Sequence, residues 1–450
     1  MISVSKLKIV TTSLISKEDK QRVILQYECS ETAHLQLSVY KNGVAIVTQM
    51  PISLSGGIGS VPVMLPVQSE SFDATWEISD KSGNVLIQTE AFWKQPRKWT
   101  LYIMISSHTD IGLHNSQYIQ RYHSSKFVDG AATLCDQTAD REKNDRYRYT
   151  MEGTWFWNNY EMDRGEEAAN RIVKNYVQTG KIGLCVGVAG NHIQTYGLEE
   201  MCRSTYEKRL QEEKWGIRSE TLSMVDNNGL PWSMIQSYAD AGYKNIIFAP
   251  NQWNPLPSTI WTYDRTKNKY IWNTGAGGGG SRIDLRLESS LPMVFNWESD
   301  AGEQITIWGC AHYSEAFGFF PSASSRPFDP QKKELVIGDI EEQMWRRLQL
   351  LETRVPYDIW MLVCYWDDQE PDLYVTNQIR DWNEKWKYPQ VRTLGDPNKP
   401  FDLLRERFGD QIPVLKGDIT GGWYQHPLTV PELMSQKFEA DRGLPNAEKW

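Results

Sequence analysis

From residue 1 to about 96, apolar and polar positions alternate in short runs, KLKIVTT, RVILQYE, HLQLSVY, VAIVTQM and DATWEIS, the period of half-buried strands. Asn42-Gly43 and Gly83-Asn84 supply hairpin turn chemistry between them. A small, sandwich-like antiparallel β domain is predicted over 1–96. After QPRKW the pattern changes. WTLYIMI is an unbroken apolar run, as expected of a strand covered on both faces. RYRYTME, KIGLCVGVA, ETLSMVD, NIIFAPN, EQITIWG and YDIWMLVCY follow, with helix-period stretches such as EEAANRIVKNYVQTG and LPWSMIQSYADAGY between several of them. This alternation predicts an α/β fold, either a barrel or an open parallel sheet. Beyond residue 400, FDLLRERF and VPELMSQKFEADRGLPNAEKW read as helices. In the latter, Val430, Leu433, Met434 and Phe438 form an apolar stripe that needs a cover.

In parallel sheets and barrels, ligands bind at the C-terminal ends of the strands. SSHTDIG follows WTLYIMI there, placing His108 and Asp110, and LSMVDNNG places Asp226 at the end of another apolar run. One imidazole and two carboxylates form a donor set suited to zinc. An Asp capping the next helix is the plain alternative for either carboxylate. Glu152, Asn191, His192, Asn251, His312 and Tyr313 also fall at or near strand ends, where a structural hydrogen bond is at least as plain a role for each as contact with a ligand.

The net charge of -9, from 48 basic and 57 acidic residues, argues against nucleic acid or an anionic membrane as partner. Six cysteines show no CxxC spacing, so neither a zinc knot nor a disulfide framework is expected. The N-terminus lacks the apolar core of a signal peptide and no segment has membrane-spanning length, which predicts a cytoplasmic protein, or a secreted or periplasmic one if a leader was removed. GAGGGGS at 275–281 lacks the GK[ST] of a phosphate loop and reads as a surface loop. The 19 Trp and 21 Tyr suit stacking on sugar rings, although large cores also use them.

HTDIG after an apolar strand, then YTMEGTWFW, KIGLCVGVAGNHIQTYGLEEMCRS, MVDNNGLPWSMIQSYADAGYKNIIFAPN, YWDDQEPDLYVTNQIRDWNEKW and VLKGDITGGWYQH together resemble glycoside hydrolase family 38, the retaining α-mannosidases, and particularly its divergent bacterial branch. The resemblance runs from about 97 to 450. It implies a seven-stranded β/α barrel over 97–400 behind the small β domain, with 401–450 ending the barrel and beginning a helical bundle. It further implies a zinc-dependent glycosidase acting on an oligosaccharide or glycoside by double displacement. His108 and Asp110 match the family's zinc-binding HxD, and Asp226 matches the aspartate that both touches zinc and attacks the anomeric carbon. Asp367 of YWDDQEP is favoured as the acid/base, with Asp368 and Glu315 as rivals; Glu152, Asn191, His312 and Tyr313 are candidate sugar contacts.

Two departures stand out. Leu113 occupies the place where classical members carry an aromatic, and the family's fourth zinc ligand, a histidine, belongs to a domain not reached by Trp450. His426, followed by Pro427, falls too early in the order to replace it. Missing C-terminal domains, or self-association as a homo-oligomer, would then cover the terminal stripe. A non-catalytic carbohydrate-binding protein or inactive truncated glycosidase is the main competitor. A metal-dependent sugar deacetylase ranks lower, because the seven histidines contain no HxxxH or HxxxxH pair.

Overall fold

The computed structural model describes residues 2–190, 192–227, 229–249, 261–264, 269–272, 292–310, 312–320, 337–365, 367–419 and 430–449. Asn191, Asn251, His426 and the stretch 275–281 lie outside the described residues. The chain divides into two compact units. One comprises residues 1–100 with 341–349 and 381–391, and the other the remainder.

The first unit holds seven antiparallel strands: β1 (Val4–Ser16), β2 (Lys20–Cys29), β3 (Ala33–Lys41), β4 (Val44–Leu54), β5 (Gly57–Pro66), β6 (Phe72–Ser79) and β7 (Val85–Trp93). Two are additional to the five expected from alternation. β5 carries Pro62 among scattered glycines, and Pro is tolerated because β5 is an edge strand paired only to β2. β7 follows the turn in which Gly83 takes a φ of 89° and the Asp80 carboxylate accepts from the amides of Ser82 and Asn84. Asn42 and Gly43 both have positive φ, as a two-residue hairpin requires. The strand Trp386–Tyr388 adds to the free edge of β1, giving one four-stranded sheet; β4, β3, β6 and β7 form the other. Val23, Leu25, Leu37, Val39, Trp76, Ile78 and Trp93 belong to the core of this unit. Several of its buried polar groups are paired. Gln21 donates to the carbonyls of Thr12 and Lys94 and accepts from Trp93 Nε1, while Arg22 pairs with Glu341.

In the second unit, β8 (Thr100–Ile105) is the middle strand of three, between Ile359–Cys364 and Gln390–Leu394. β9 (Tyr149–Met151) runs parallel to β10 (Ile182–Leu184), and a parallel bridge between Val186 and Leu222 leads on to β11 (Thr221–Val225). β11 and β12 (Asn245–Ala249) are followed, after the hairpin β13 (Trp261–Asp264) and β14 (Lys269–Trp272), by β15 (Val294–Glu298) and β16 (Gln304–Gly309), with β17 being Ile359–Cys364. β11, β12 and β16 are mutually parallel, and β15 pairs antiparallel with β16. The helices Gln117–Gln137, Thr154–Ile172 and Met234–Asp240 connect successive strands.

The fold is therefore mixed α/β behind an N-terminal antiparallel domain. The strands hydrogen-bond as separate sheets, and among the described residues a closed seven-stranded barrel is not traced. β11, β12 and β17 are buried at every position, which accounts for their unbroken apolar sequences. Trp99, Trp308 and Trp360 are fully buried, so much of the aromatic surplus is core.

The helix Pro431–Glu448 attaches to Leu198–Arg203 through polar contacts: Lys437 donates to the carbonyl of Thr195 (2.8 Å), and the Glu200 amide donates to Asp441 (3.2 Å). Its stripe stays open, with Leu433 62% and Phe438 38% exposed. No helix among the described residues is long and apolar enough to cross a membrane.

Candidate active site

β8 and β17 deliver the first two groups. A parallel bridge between His108 and Asp367 extends their pairing past the strand ends, and the Asp368 amide donates to the carbonyl of His108 (2.8 Å). β11 delivers Asp226, whose amide donates to the carbonyl of Ala249 at the end of β12 (3.0 Å) and whose φ of 50° turns the chain sharply. β9 delivers Glu152, only 3% exposed. Three of these strand ends were visible as apolar runs closed by a polar residue; their convergence required the pairing of strands far apart in sequence.

His108 is the centre. Its Nδ1 lies 2.8 Å from Glu152 Oε1, and the other Glu152 oxygen accepts from the Thr109 amide (3.0 Å). Glu152, expected among the sugar contacts, thus sits against the ring with both oxygens engaged. With Nδ1 occupied, Nε2 faces Asp110 Oδ1 at 3.4 Å and Asp226 Oδ2 at 3.6 Å. A carboxylate on the far nitrogen of a histidine is the usual support of a metal-ligating imidazole. His108, Asp110 and Asp367 each offer a ligand atom within 4.8 Å of the others, so Asp367 also belongs to the cluster. The donor set of one imidazole nitrogen and several carboxylate oxygens fits zinc or a similar divalent cation. Gly190 leaves the space: a Cβ there would lie 3.0 Å from the carbonyl of Val225 and 3.8 Å from Glu152.

The electrostatics favour a positive charge at this point. Burial alone would push the His108 imidazole down, but the charge of Glu152 and hydrogen bonds to Asp110, Asp226 and Glu152 hold it well above the usual histidine range. The hydrogen bond to His108 keeps Asp110 low against its own burial. Asp367 moves the other way. Burial raises it, the charges of Asp110 and Asp226 add to the rise, and His108 with the Tyr313 hydroxyl opposes it. Tyr313, buried and donating to Asp367 Oδ1 at 3.0 Å, is pushed far up and stays a phenol. Its ring stacks on His312 with centroids 4.4 Å apart, and His312 Nδ1 accepts from the Ser314 amide (2.9 Å). Asp367, Tyr313 and His312 therefore form one wall beside His108.

One group beyond the expected set, His114, joins the cluster. His114 approaches both Asp110 and Asp368, and Asp368 itself takes a φ of 52°. The i, i+4 spacing of Asp110 and His114 was the available signal. Glu315, a rival for proton transfer, is buried at the start of a 3₁₀ turn. Leu113 is 75% exposed.

Among solved structures, an α-mannosidase from Enterococcus faecalis V583 is similar at a TM-score of 0.49 and 16% identity, over 72% of this chain and 31% of that enzyme. A 4-α-glucanotransferase from Thermococcus litoralis is similar at 0.41 and 10% identity, over 77% of this chain and 48% of the other. The chain thus spans less than half the length of either enzyme. No curated protein matches it. Residues 98–417 match the model of the glycosyl hydrolases family 38 N-terminal domain, and with most of its length inside that match the chain belongs to glycosyl hydrolase family 38.

Proposed function

We propose that the chain is the catalytic part of a zinc-dependent retaining glycoside hydrolase of α-mannosidase type, its parallel strands being those of a seven-stranded β/α barrel. The observation that carries this reading is the placement of His108 Nε2 toward Asp110 and Asp226 with Nδ1 held by Glu152. His108, Asp110 and Asp226 would hold zinc, which supplies a charged template for two neighbouring hydroxyls of the glycone and favours the flattened oxocarbenium geometry. Asp226 attacks the anomeric carbon as the glycosidic C–O bond breaks, and Asp367 gives its proton to the departing oxygen. In the second displacement the Asp367 carboxylate takes a proton from water, the water oxygen bonds to the anomeric carbon, and Asp226 is released. The raised affinity of Asp367 for its proton suits the first step. His312 and Tyr313 line the same wall and are proposed to contact the sugar.

Exposed Leu113, in place of a stacking aromatic, favours a second reading, a carbohydrate-binding protein without turnover. The test is a panel of aryl glycosides assayed with and without chelator, together with zinc analysis. Release of the phenol from an aryl α-mannoside, with retained anomeric configuration and restoration by zinc, is the expected result. Zinc binding without turnover of any glycoside would support the second reading, and absence of both would sink the assignment.

A further inference from the structure

His114 is gripped from two sides. Its Nδ1 lies 3.2 Å from Asp110 Oδ2 and 3.3 Å from Asp368 Oδ2, so one ring nitrogen faces two carboxylates. Asp110 is in turn spanned by two imidazoles, with Oδ1 toward His108 and Oδ2 toward His114. The loop is built to bring this about. Leu113 donates its amide to the carbonyl of Asp110 (3.5 Å), and Gly112, at a φ of 94°, turns the chain so that His114 returns over Asp110. Asp368 is anchored through its amide to His108, holds a left-handed backbone that side-chain-bearing residues seldom adopt, and buries Oδ1 without a hydrogen-bond partner among the described residues.

The terminal torsion of an aspartate is soft and roughly two-fold, so a single contact to His108 at 3.4 Å leaves the carboxylate plane poorly determined. A second contact on the other oxygen fixes it. We propose that His114 is a positioning residue that sets the carboxylate plane of Asp110 at the metal site, with Asp368 holding His114 in place. The consequence for zinc rests on the function proposed above; the consequence for Asp110 does not. His114 hydrogen-bonds to Asp368 and meets the Asp110 carboxylate at 3.2 Å, and loss of such support around a metal-binding carboxylate typically lowers metal affinity about 10–100-fold.

The test compares the wild type with His114→Ala, His114→Gln and Asp368→Asn, using zinc alone in competition with a chromophoric chelator and crystal structures of the zinc-free proteins. In His114→Ala the Asp110 carboxylate should rotate away from His108, and zinc affinity should fall about 10–100-fold. The unfolding midpoint in chelator should hold, because His114 is 48% exposed at the surface. His114→Gln, which keeps a side-chain N–H, should recover part of the affinity, and Asp368→Asn should lose less than His114→Ala. An unmoved Asp110 with wild-type zinc affinity in His114→Ala would overturn the proposal. Should His114→Ala fail to fold, the Asp110 orientation and zinc affinity of Asp368→Asn decide. If the wild type binds no zinc, the proposed function falls, while the Asp110 orientation in the variant crystals still judges His114.

Discussion

The two units treat buried charge in opposite ways. In the antiparallel unit, Arg22 and Glu341 are 10% and 7% exposed, and Glu341 also receives Lys385 and the Trp386 indole. There a single carboxylate is met by two cations and an indole N–H. At the strand ends of the second unit, Glu152, Asp110, Asp226, Asp367 and Asp368 gather near His108 and His114. A matched set holds a fold together, whereas a negative surplus is a standing demand for a cation. Breaking the first should cost stability, and thinning the second should cost binding and turnover instead.

The largest effect should come from Asp226→Asn, lowering turnover of an activated aryl glycoside about 10⁴-fold or more. Because it relieves repulsion on Asp367 but gives up a favourable contact with His108, its unfolding midpoint in chelator should stay near that of the wild type. A variant of near-normal activity would remove Asp226 from the reaction. Glu341→Ala is the counterpart. By leaving Arg22 buried without its carboxylate, it should lose about 3–5 kcal/mol in urea denaturation while the folded fraction keeps its zinc affinity. A loss of zinc alongside stability would erase the distinction between the units.

His108→Ala should weaken zinc by more than the roughly 100-fold ceiling of an outer hydrogen bond, whereas His34→Ala, an exposed residue bonded to Ser53, should leave metal content unchanged. Asp367→Asn gives the most conditional effect. An acid matters in proportion to how poorly the leaving group departs, so the rate should fall about 10²-fold or more on alkyl glycosides and far less on dinitrophenyl glycosides. The variant should still bind zinc. If zinc is lost as completely as in His108→Ala, Asp367 is a metal ligand, and proton transfer belongs to another group.

Local pattern revealed much of this. The apolar runs that end at His108, Asp226 and Asp367 marked which polar side chains stand at the strand ends, and the structure brings these three together. What stayed hidden depends on distant pairing. Glu152 supports His108 across 44 residues of sequence, and Asp368 reaches His114 across 254. The break at Gly165 within the helix Thr154–Ile172 was likewise invisible, since the helical pattern starting at Glu166 shows only the second half. β5 escaped because its Pro and glycines suppress strand propensity, which the edge position forgives.

The pairing of Arg22 with Glu341 also sets an order of events during synthesis. The partners are separated by 319 residues. At about 5–20 residues per second, a ribosome that has made β2 works on for a period on the order of tens of seconds before the matching carboxylate emerges. Throughout that interval Arg22 keeps its water, and the free edge of β1 is without the Trp386–Tyr388 strand that later covers it. The antiparallel unit thus begins to emerge before the second unit yet is completed only after most of it, with the edge of β1 left open in the interval.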